Sequence, residues 1–396
     1  MKYAICVGDG MADFPVAELN GTTPLEYAKT PAMDEIAALG YVGRVQTVPD
    51  GLPPGSDVAN MSLLGYDAKR YYQGRAPIEA ASMGIALKPN ETAFRCNLVT
   101  LQNGKMADYS AGHIETGVAR ELLEQLQEKL GNERMRFYPG VSYRHLLVIA
   151  DAPVGKLDCT PPHDISGKPW QEYVPRGAGS NELLSIMDKA RTILETAGAN
   201  QRLIDQGKQA ATDIWLWGQG RAIELPSMME RFGLTGSVIS AVDLVQGLGV
   251  LAGLTVRKVA GATGYLGTNY AGKVEAAHKA LREQDFVFIH IEAPDETSHE
   301  GSLYKKIQAI EEFDHNIVAE ILNLRKEFKD LRILVLPDHA TPVSLKTHHA
   351  MPVPFAVCGP AVGHGSAAFY SEKTAADKPL ITAVSLFETF INGVFQ

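Results

Sequence analysis

The sequence predicts an α/β protein with a mostly parallel sheet and an inserted, smaller α+β domain. Three observations carry this reading. Short apolar runs alternate with amphipathic stretches, as buried parallel strands and their covering helices do. Three of those runs end directly in acidic or histidine residues. Between residues 87 and 214 the pattern changes to solitary strands and frequent turns.

The first predicted strand covers residues 3–7 and runs into Gly8-Asp9-Gly10. The second covers 285–291, the third 331–336 and the fourth 353–358. Ile307, Ile310, Phe313, Ile317, Ile321 and Leu324 recur every three or four residues, so a helix joins the second and third strands. In open parallel sheets ligands bind beyond the carboxyl ends of the strands. The placement of acidic and histidine residues at those ends is therefore the first functional signal.

The middle reads as strands over 92–101 and 143–150 with a helix over 115–130 between them, and a further helix over 181–197. Pro161-Pro162-His163-Asp164 and Arg176-Gly177-Ala178-Gly179 are turn signals. The expected organisation is a core domain made of residues 1–86 and 215–396, split by a substrate-binding insertion of residues 87–214.

Composition narrows the partners. Of 396 residues, 45% are hydrophobic and 21% charged, which is enough apolar material for a sizeable core. A net charge of -9 argues against a nucleic-acid or anionic-membrane surface, which needs clustered Lys and Arg. It leaves room for a small anionic substrate in a locally positive pocket. The apolar start is too short for a signal peptide, and no stretch reaches the ~18 apolar residues of a membrane span. The four cysteines, Cys6, Cys96, Cys159 and Cys358, fit no zinc spacing and read as single thiols. A cytoplasmic location is expected. The oligomeric state is not legible.

Asp295 and His299 stand four residues apart just after an apolar strand, so both fall on one face of a helical turn. That spacing suits two ligands of one ion, and equally a solvated surface pair. Asp338-His339 follows the third strand and can turn toward an ion, or cap and pack. His348 precedes the fourth strand and completes a mixed Asp/His set. Asp9 lies between glycines that let the backbone approach an ion closely. Ser56, after Pro53-Pro54-Gly55, is placed at a helix start. It reads either as an N-cap or as a nucleophile favoured by the helix N-terminus and by a bound metal. Together Asp9, Ser56, Asp295, His299, Asp338, His339 and His348 resemble a two-metal phosphoryl-transfer site. Three carboxylates and a serine alkoxide offset two divalent ions. The mixed ligands suit manganese, with magnesium, zinc or cobalt as alternatives.

At these residues the chain resembles the archaeal-type cofactor-independent phosphoglycerate mutases of the alkaline phosphatase superfamily. The likeness runs nearly end to end. It includes Val7-Gly8-Asp9-Gly10-Met11, Gly55-Ser56-Asp57-Val58-Ala59-Asn60 and Gly74-Arg75-Ala76-Pro77-Ile78-Glu79-Ala80. It continues through Asp108-Tyr109-Ser110-Ala111-Gly112-His113 and Trp215-Leu216-Trp217-Gly218-Gln219-Gly220-Arg221 to the three metal motifs. The resemblance implies an alkaline-phosphatase-like three-layer sandwich that interconverts 3-phosphoglycerate and 2-phosphoglycerate, in glycolysis and gluconeogenesis, without bisphosphoglycerate. It implies that a serine matching Ser56 carries the phosphate, and the Gly-Ser-Asp-Val-Ala-Asn match selects it over the nearby Ser62. It implies one ion on Asp295, His299 and His348, and another on Asp9, Asp338, His339 and Ser56. In the insertion His113, Arg144, His163, Asp164 and Arg221 are the candidates for substrate contacts, each with a structural salt bridge as the alternative.

Three functions are weighed. A mutase needs a second domain that moves as a unit and holds glycerate while the phosphoserine exists. A phosphotransferase acting on homoserine, or a related phosphohydrolase, keeps the site and changes the acceptor, but no Walker A or Gly-rich kinase loop is present. A non-catalytic binding protein predicts lost ligands, and all seven are present.

Overall fold

The apolar run that opens the chain becomes the strand Lys2–Gly8. In the computed structural model, which describes residues 1–152, 157–363, 365 and 367–395, that strand lies inside an eight-stranded sheet. The order among the described residues is Thr255–Val256, Gly236–Ile239, Phe286–Ile291, Lys2–Gly8, Leu331–Leu336, Val353–Cys358, Tyr41–Gln46, Leu380–Thr382. All pairings are parallel except the two made by Val353–Cys358. The strands Phe286–Ile291 and Leu331–Leu336 are buried at every residue, as their unbroken apolar runs require.

This topology positions the site. Phe286–Ile291, Lys2–Gly8 and Leu331–Leu336 all end at one edge of the sheet. Val353–Cys358 runs the other way and starts at that edge. His348, which precedes it, is therefore delivered to the same edge as Asp9 and Asp338.

Helices cover both faces. Ala4, Cys6, Val287, Ile289, Ile333 and Val335 pack on one side against Met33, Ile36, Ala277, Leu281, Ile310 and Phe313. On the other, Tyr3 meets Phe390 at 5.6 Å and Phe286 meets Phe387 at 5.9 Å, both from the helix Ala383–Asn392. Each fully buried aromatic or branched side chain contributes about 1.5–3 kcal/mol to this helix–sheet–helix sandwich. The helix expected between the second and third strands forms as Leu303–Phe313 and Ala319–Asn323, with a π-helical turn, Asp314–Val318, between them. The Asp314 carboxylate accepts the amides of Ala32 and Met33 at the start of the helix Pro31–Leu39. Thr30, the N-cap of that helix, makes no side-chain cap bond, so a distant aspartate supplies the acceptors.

The chain divides into two compact units, Met1–Tyr72 with the segment from Glu224 onward, and Gln73–Ile223. The second unit contains the expected 87–214 insertion and extends beyond it at both ends. The reason is pairing. Asp213–Arg221 is a strand that pairs with Glu91–Gln102, and the helix Arg75–Ser82 packs Ala76 and Ala80 against Ala93, Leu146 and Val148 of the same sheet. The antiparallel strands Glu91–Gln102, Arg144–Ala150, Met135–Val141 and Lys105–Asp108 complete that sheet. The helices Thr116–Leu130 and Ser180–Glu195 cover its opposite face through Leu122, Leu126, Ile186 and Met187.

Candidate metal centre and active site

The helix Ser56–Leu63 begins at Ser56, with Gly55 as its N-cap in an extended conformation and no side-chain cap bond. Ser56 is thus not spent on capping. Its hydroxyl lies 3.1 Å from His339 Nε2. The rival Ser62 is buried, and its hydroxyl donates to the Val58 carbonyl one turn back.

Asp9 follows the strand Lys2–Gly8 and is fully buried. Gly10 has φ +62, and a Cβ there would sit 2.5 Å from Asp295 Oδ1 and 2.6 Å from Thr341 Oγ1. Only glycine lets the chain pass between these groups. The Gly10 amide donates to Asp338 Oδ1 at 3.1 Å, and Asn60, one turn along the Ser56 helix, donates to Asp338 Oδ2 at 2.7 Å. His339 Nε2 lies 3.4 Å from Asp9 Oδ1 and 3.6 Å from Asp338 Oδ2. Asp9, Asp338, His339 and Ser56 therefore converge.

Beside them, Asp295 and His299 share one face of the helix Ala293–His299, with His299 Nε2 3.1 Å from Asp295 Oδ2. His348 Nε2 is 3.6 Å from Asp295 Oδ1 and 3.0 Å from His299 Nε2. All seven sequence-predicted residues are brought to one place, and ligand atoms of Asp295, His299 and His348 lie within 4.8 Å of one another.

Outer contacts set the imidazole tautomers. His299 Nδ1 is 3.0 Å from the Lys346 carbonyl and His348 Nδ1 is 3.3 Å from the Pro54 carbonyl. A carbonyl only accepts, so each Nδ1 carries the proton and each Nε2 turns a lone pair inward. Thr341 Oγ1 donates to Asp295 Oδ1 and so accepts from His339 Nδ1 at 3.2 Å, which leaves His339 Nε2 bare as well. Two lone pairs facing across 3.0 Å, as in His299 and His348, call for a cation or a proton between them. This convergence of bare nitrogens and carboxylates fits divalent ions.

The electrostatics agree. Burial, reinforced by Asp338, Glu292 and Asp295, pushes the Asp9 carboxyl well above its ordinary range. Burial opposes charge on Asp295, yet hydrogen bonds from His299 and His348, when their Nε2 atoms carry protons in place of a metal, outweigh it and hold that carboxyl well below. Burial likewise works against charge on His299, but Asp295 wins and lifts its imidazolium to about 9. His339, wholly buried, is pushed down. So many buried carboxylates ionise together only when cations neutralise them.

Thr341, Asn60 and Lys306 escaped the sequence reading. Lys306 is fully buried in the helix Leu303–Phe313. Its ammonium donates to the Ala12 carbonyl, to Asp13 Oδ2 at 2.8 Å and to the Thr341 carbonyl. It ties the loop after Asp9 to the loop after His339. A lysine at a three-to-four-residue helical spacing carries no mark of this; only its position on the apolar face of the helix hints at burial.

In the second unit Arg144 stacks on Tyr143 at 5.6 Å, and the His113 ring lies 6.1 Å from the same tyrosine. His163 packs edge-on to Trp217 at 5.4 Å and lies 3.6 Å from Asp164, both side chains being largely exposed. Arg95 lies over the Trp217 ring at 4.2 Å. Its Nε is 2.9 Å from Glu79 Oε2, out of line for a hydrogen bond, while Arg75 Nε bonds Glu79 Oε1 at 3.1 Å. Burial pulls Arg95 down to about 10, although the Glu79 charge supports it. One glutamate thus serves two arginines, with the Arg144 charge acting on both Glu79 and Arg95. Arg75 and Arg95 were missed because the i,i+4 pair Arg75–Glu79 reads as an ordinary helix ion pair and nothing in the spacing of Arg95 marks it. Arg221 stands apart. It pairs opposite Thr92, whereas Arg144 pairs opposite Asn97, about 17 Å along the same strand.

Comparison with known proteins agrees with this picture. Residues 37–200 match a family model described as 2,3-bisphosphoglycerate-independent phosphoglycerate mutase. A protein of that name from Methanosarcina barkeri is 55% identical over 358 residues, 90% of each chain. A probable one from Geobacter sulfurreducens is 49% identical over 386 residues, 96% of each. Among solved structures, a Pyrococcus horikoshii protein aligns with TM-score 0.82 at 28% identity, covering 100% of this chain and 98% of that one. A cofactor-independent phosphoglycerate mutase from Thermoplasma acidophilum aligns with TM-score 0.66 at 26% identity, covering 98% and 99%. With half of its residues shared over nine-tenths of its length, this chain belongs to the family of 2,3-bisphosphoglycerate-independent phosphoglycerate mutases.

Proposed function

We infer that this chain interconverts 3-phosphoglycerate and 2-phosphoglycerate in glycolysis and gluconeogenesis, passing the phosphate through Ser56. The observation that carries the reading is the Ser56 hydroxyl itself. It starts a helix without capping it, and it sits 3.1 Å from a histidine whose facing nitrogen is bare. Asp295, His299 and His348 would hold one divalent ion, and Asp9, Asp338, His339 and Ser56 the other. Manganese is the ion proposed, with magnesium, zinc and cobalt as alternatives. Such ions lower the pKa of the serine hydroxyl and neutralise phosphoryl charge.

The protein's own groups do the rest. The Ser56 oxygen takes the phosphoryl group and returns it to the other hydroxyl of bound glycerate. The N-terminal end of its helix favours the resulting anion. Asn60 and the Gly10 amide hold Asp338 in place. The second unit offers cations for the glycerate carboxylate. Arg144 is the exposed one; Arg75 and Arg95 act on the same Glu79, His113 packs on the same Tyr143, and His163 packs on Trp217, which Arg95 also covers. Asp164 would orient His163.

The test is to strip the protein with a chelator, restore manganese, and follow 2-phosphoglycerate formation from 3-phosphoglycerate. ATP with homoserine is the competing arm. Turnover of 3-phosphoglycerate that disappears with the metal supports the mutase. Phosphohomoserine formation without mutase turnover defeats it.

A further inference from the structure

We propose that Asp9, His290 and Glu292 bind a third divalent cation, adjoining the two-ion centre and sharing Asp9 with it. The proposal rests on the two-metal reading above. His290 is the penultimate residue of the strand Phe286–Ile291, and Glu292 follows the strand directly. Neither belongs to the seven-residue set. Ligand atoms from Asp9, His290 and Glu292 lie within 4.8 Å of one another.

What sets this group apart from an ordinary acidic cluster is a set of buried polar atoms with no hydrogen-bond partner. They are both carboxylate oxygens of Asp9, His290 Nε2 and Glu292 Oε2. The His290 side chain is 0% exposed. Its Nε2 lies 3.0 Å from Asp9 Oδ2 but out of line for a hydrogen bond. Unpartnered buried atoms of this kind are rare and costly unless something satisfies them. The other ring nitrogen explains the orientation. Nδ1 is 3.2 Å from Ser240 Oγ, which accepts the Val242 amide and retains a lone pair. With the Nδ1 proton directed at Ser240, Nε2 turns its lone pair inward, as in an outer-shell arrangement for a metal-bound histidine.

Asp9 is built to bridge. Its Oδ1 faces His339 at 3.4 Å and its Oδ2 faces His290 at 3.0 Å. One oxygen would serve the catalytic centre and the other the new ion. Two carboxylates and one imidazole form a mixed oxygen–nitrogen donor set suited to manganese, with water in the remaining positions. Glu292, whose side chain is 16% exposed, leaves a path for that water. The neighbouring cation, Lys273, does not already fill the role. Its charge acts on Glu292 and His290, but among the described residues no ion pair joins it to Asp9 or Glu292. The alternative occupant is a proton shared by the Asp9 and Glu292 carboxyls.

The experiment is a count of bound manganese. Chelator-stripped full-length protein is dialysed against millimolar Mn²⁺ and analysed by atomic emission. Circular dichroism checks that each variant is folded. The expected result is three ions per wild-type chain and two in both Glu292→Gln and His290→Gln. An anomalous map at the manganese edge of wild-type crystals should show the third peak against Asp9 Oδ2 and Glu292, and it decides the matter if the variants fold poorly. A wild-type count of two, unchanged in Glu292→Gln, overturns the third site in favour of the shared proton and leaves the two-metal reading standing. Three ions in both wild type and Glu292→Gln also overturns it. A wild-type count below two defeats both readings.

Discussion

Replacing Ser56 by alanine is expected to abolish turnover and leave the protein folded. The structural cost follows from what the hydroxyl touches. Among the described residues its one hydrogen bond is to His339 Nε2, at 3.1 Å, and it caps nothing. A neutral hydrogen bond of that kind contributes about 0.5–1.5 kcal/mol. Alanine recovers a few tenths of this through its better helix propensity. The net loss is therefore about 1 kcal/mol or less, a shift of roughly 2–4 °C in unfolding midpoint for a domain of 150–250 residues. The catalytic cost is of another order. Removing a covalent nucleophile lowers kcat by about 10⁴ to 10⁶-fold, or roughly 5–8 kcal/mol of barrier. A coupled assay for 2-phosphoglycerate measures the rate, and differential scanning calorimetry measures the midpoint. Rapid quenching with phosphate-labelled substrate should trap label on wild type and none on Ser56→Ala. Ser62→Ala, whose hydroxyl is committed to the Val58 carbonyl, should stay active. If Ser56→Ala kept even a hundredth of wild-type activity, Ser56 would not be the phosphate carrier.

Three further outcomes are expected. Lys306→Met leaves Asp13 buried without its cation and two carbonyls without their donor, so denaturant unfolding should show a loss of about 3–5 kcal/mol. Burial raises Asp314 from 3.8 to about 6 despite the two amides it accepts, so the folded state favours its protonated form. Its contribution is complete below pH 4 and is lost as pH rises through 6, roughly 3 kcal/mol at most, and Asp314→Asn should flatten urea-measured stability across that window. Arg144→Ala should raise KM for 3-phosphoglycerate about 10- to 100-fold, the worth of a charge-assisted bond of ~1.5–3 kcal/mol, with little change in unfolding midpoint because the side chain is exposed.

The local pattern of this chain was enough to locate four of the eight strands of the large sheet. The strands ending near Asp9, Asp295 and Asp338 announce themselves because a strand buried on both faces must be apolar throughout, and a polar residue at its end stands out. The strands Tyr41–Gln46, Gly236–Ile239 and Leu380–Thr382 were not read, being short, mixed in composition or interrupted by glycine. The motifs also named the seven convergent residues, because ligand chemistry restricts which side chains can stand at those ends. Tertiary structure alone decided the rest. The reversed direction of Val353–Cys358, a matter of pairing rather than composition, brings His348 to the Asp295 side. Ser56 could be cap or nucleophile until Gly55 was found to occupy the cap position and His339 to face the hydroxyl. Lys306, His290 and Arg95 have no spacing that distinguishes them. Their roles come from partners tens to hundreds of residues away or on separate elements, and a buried charge acquires its meaning only from the groups that surround it.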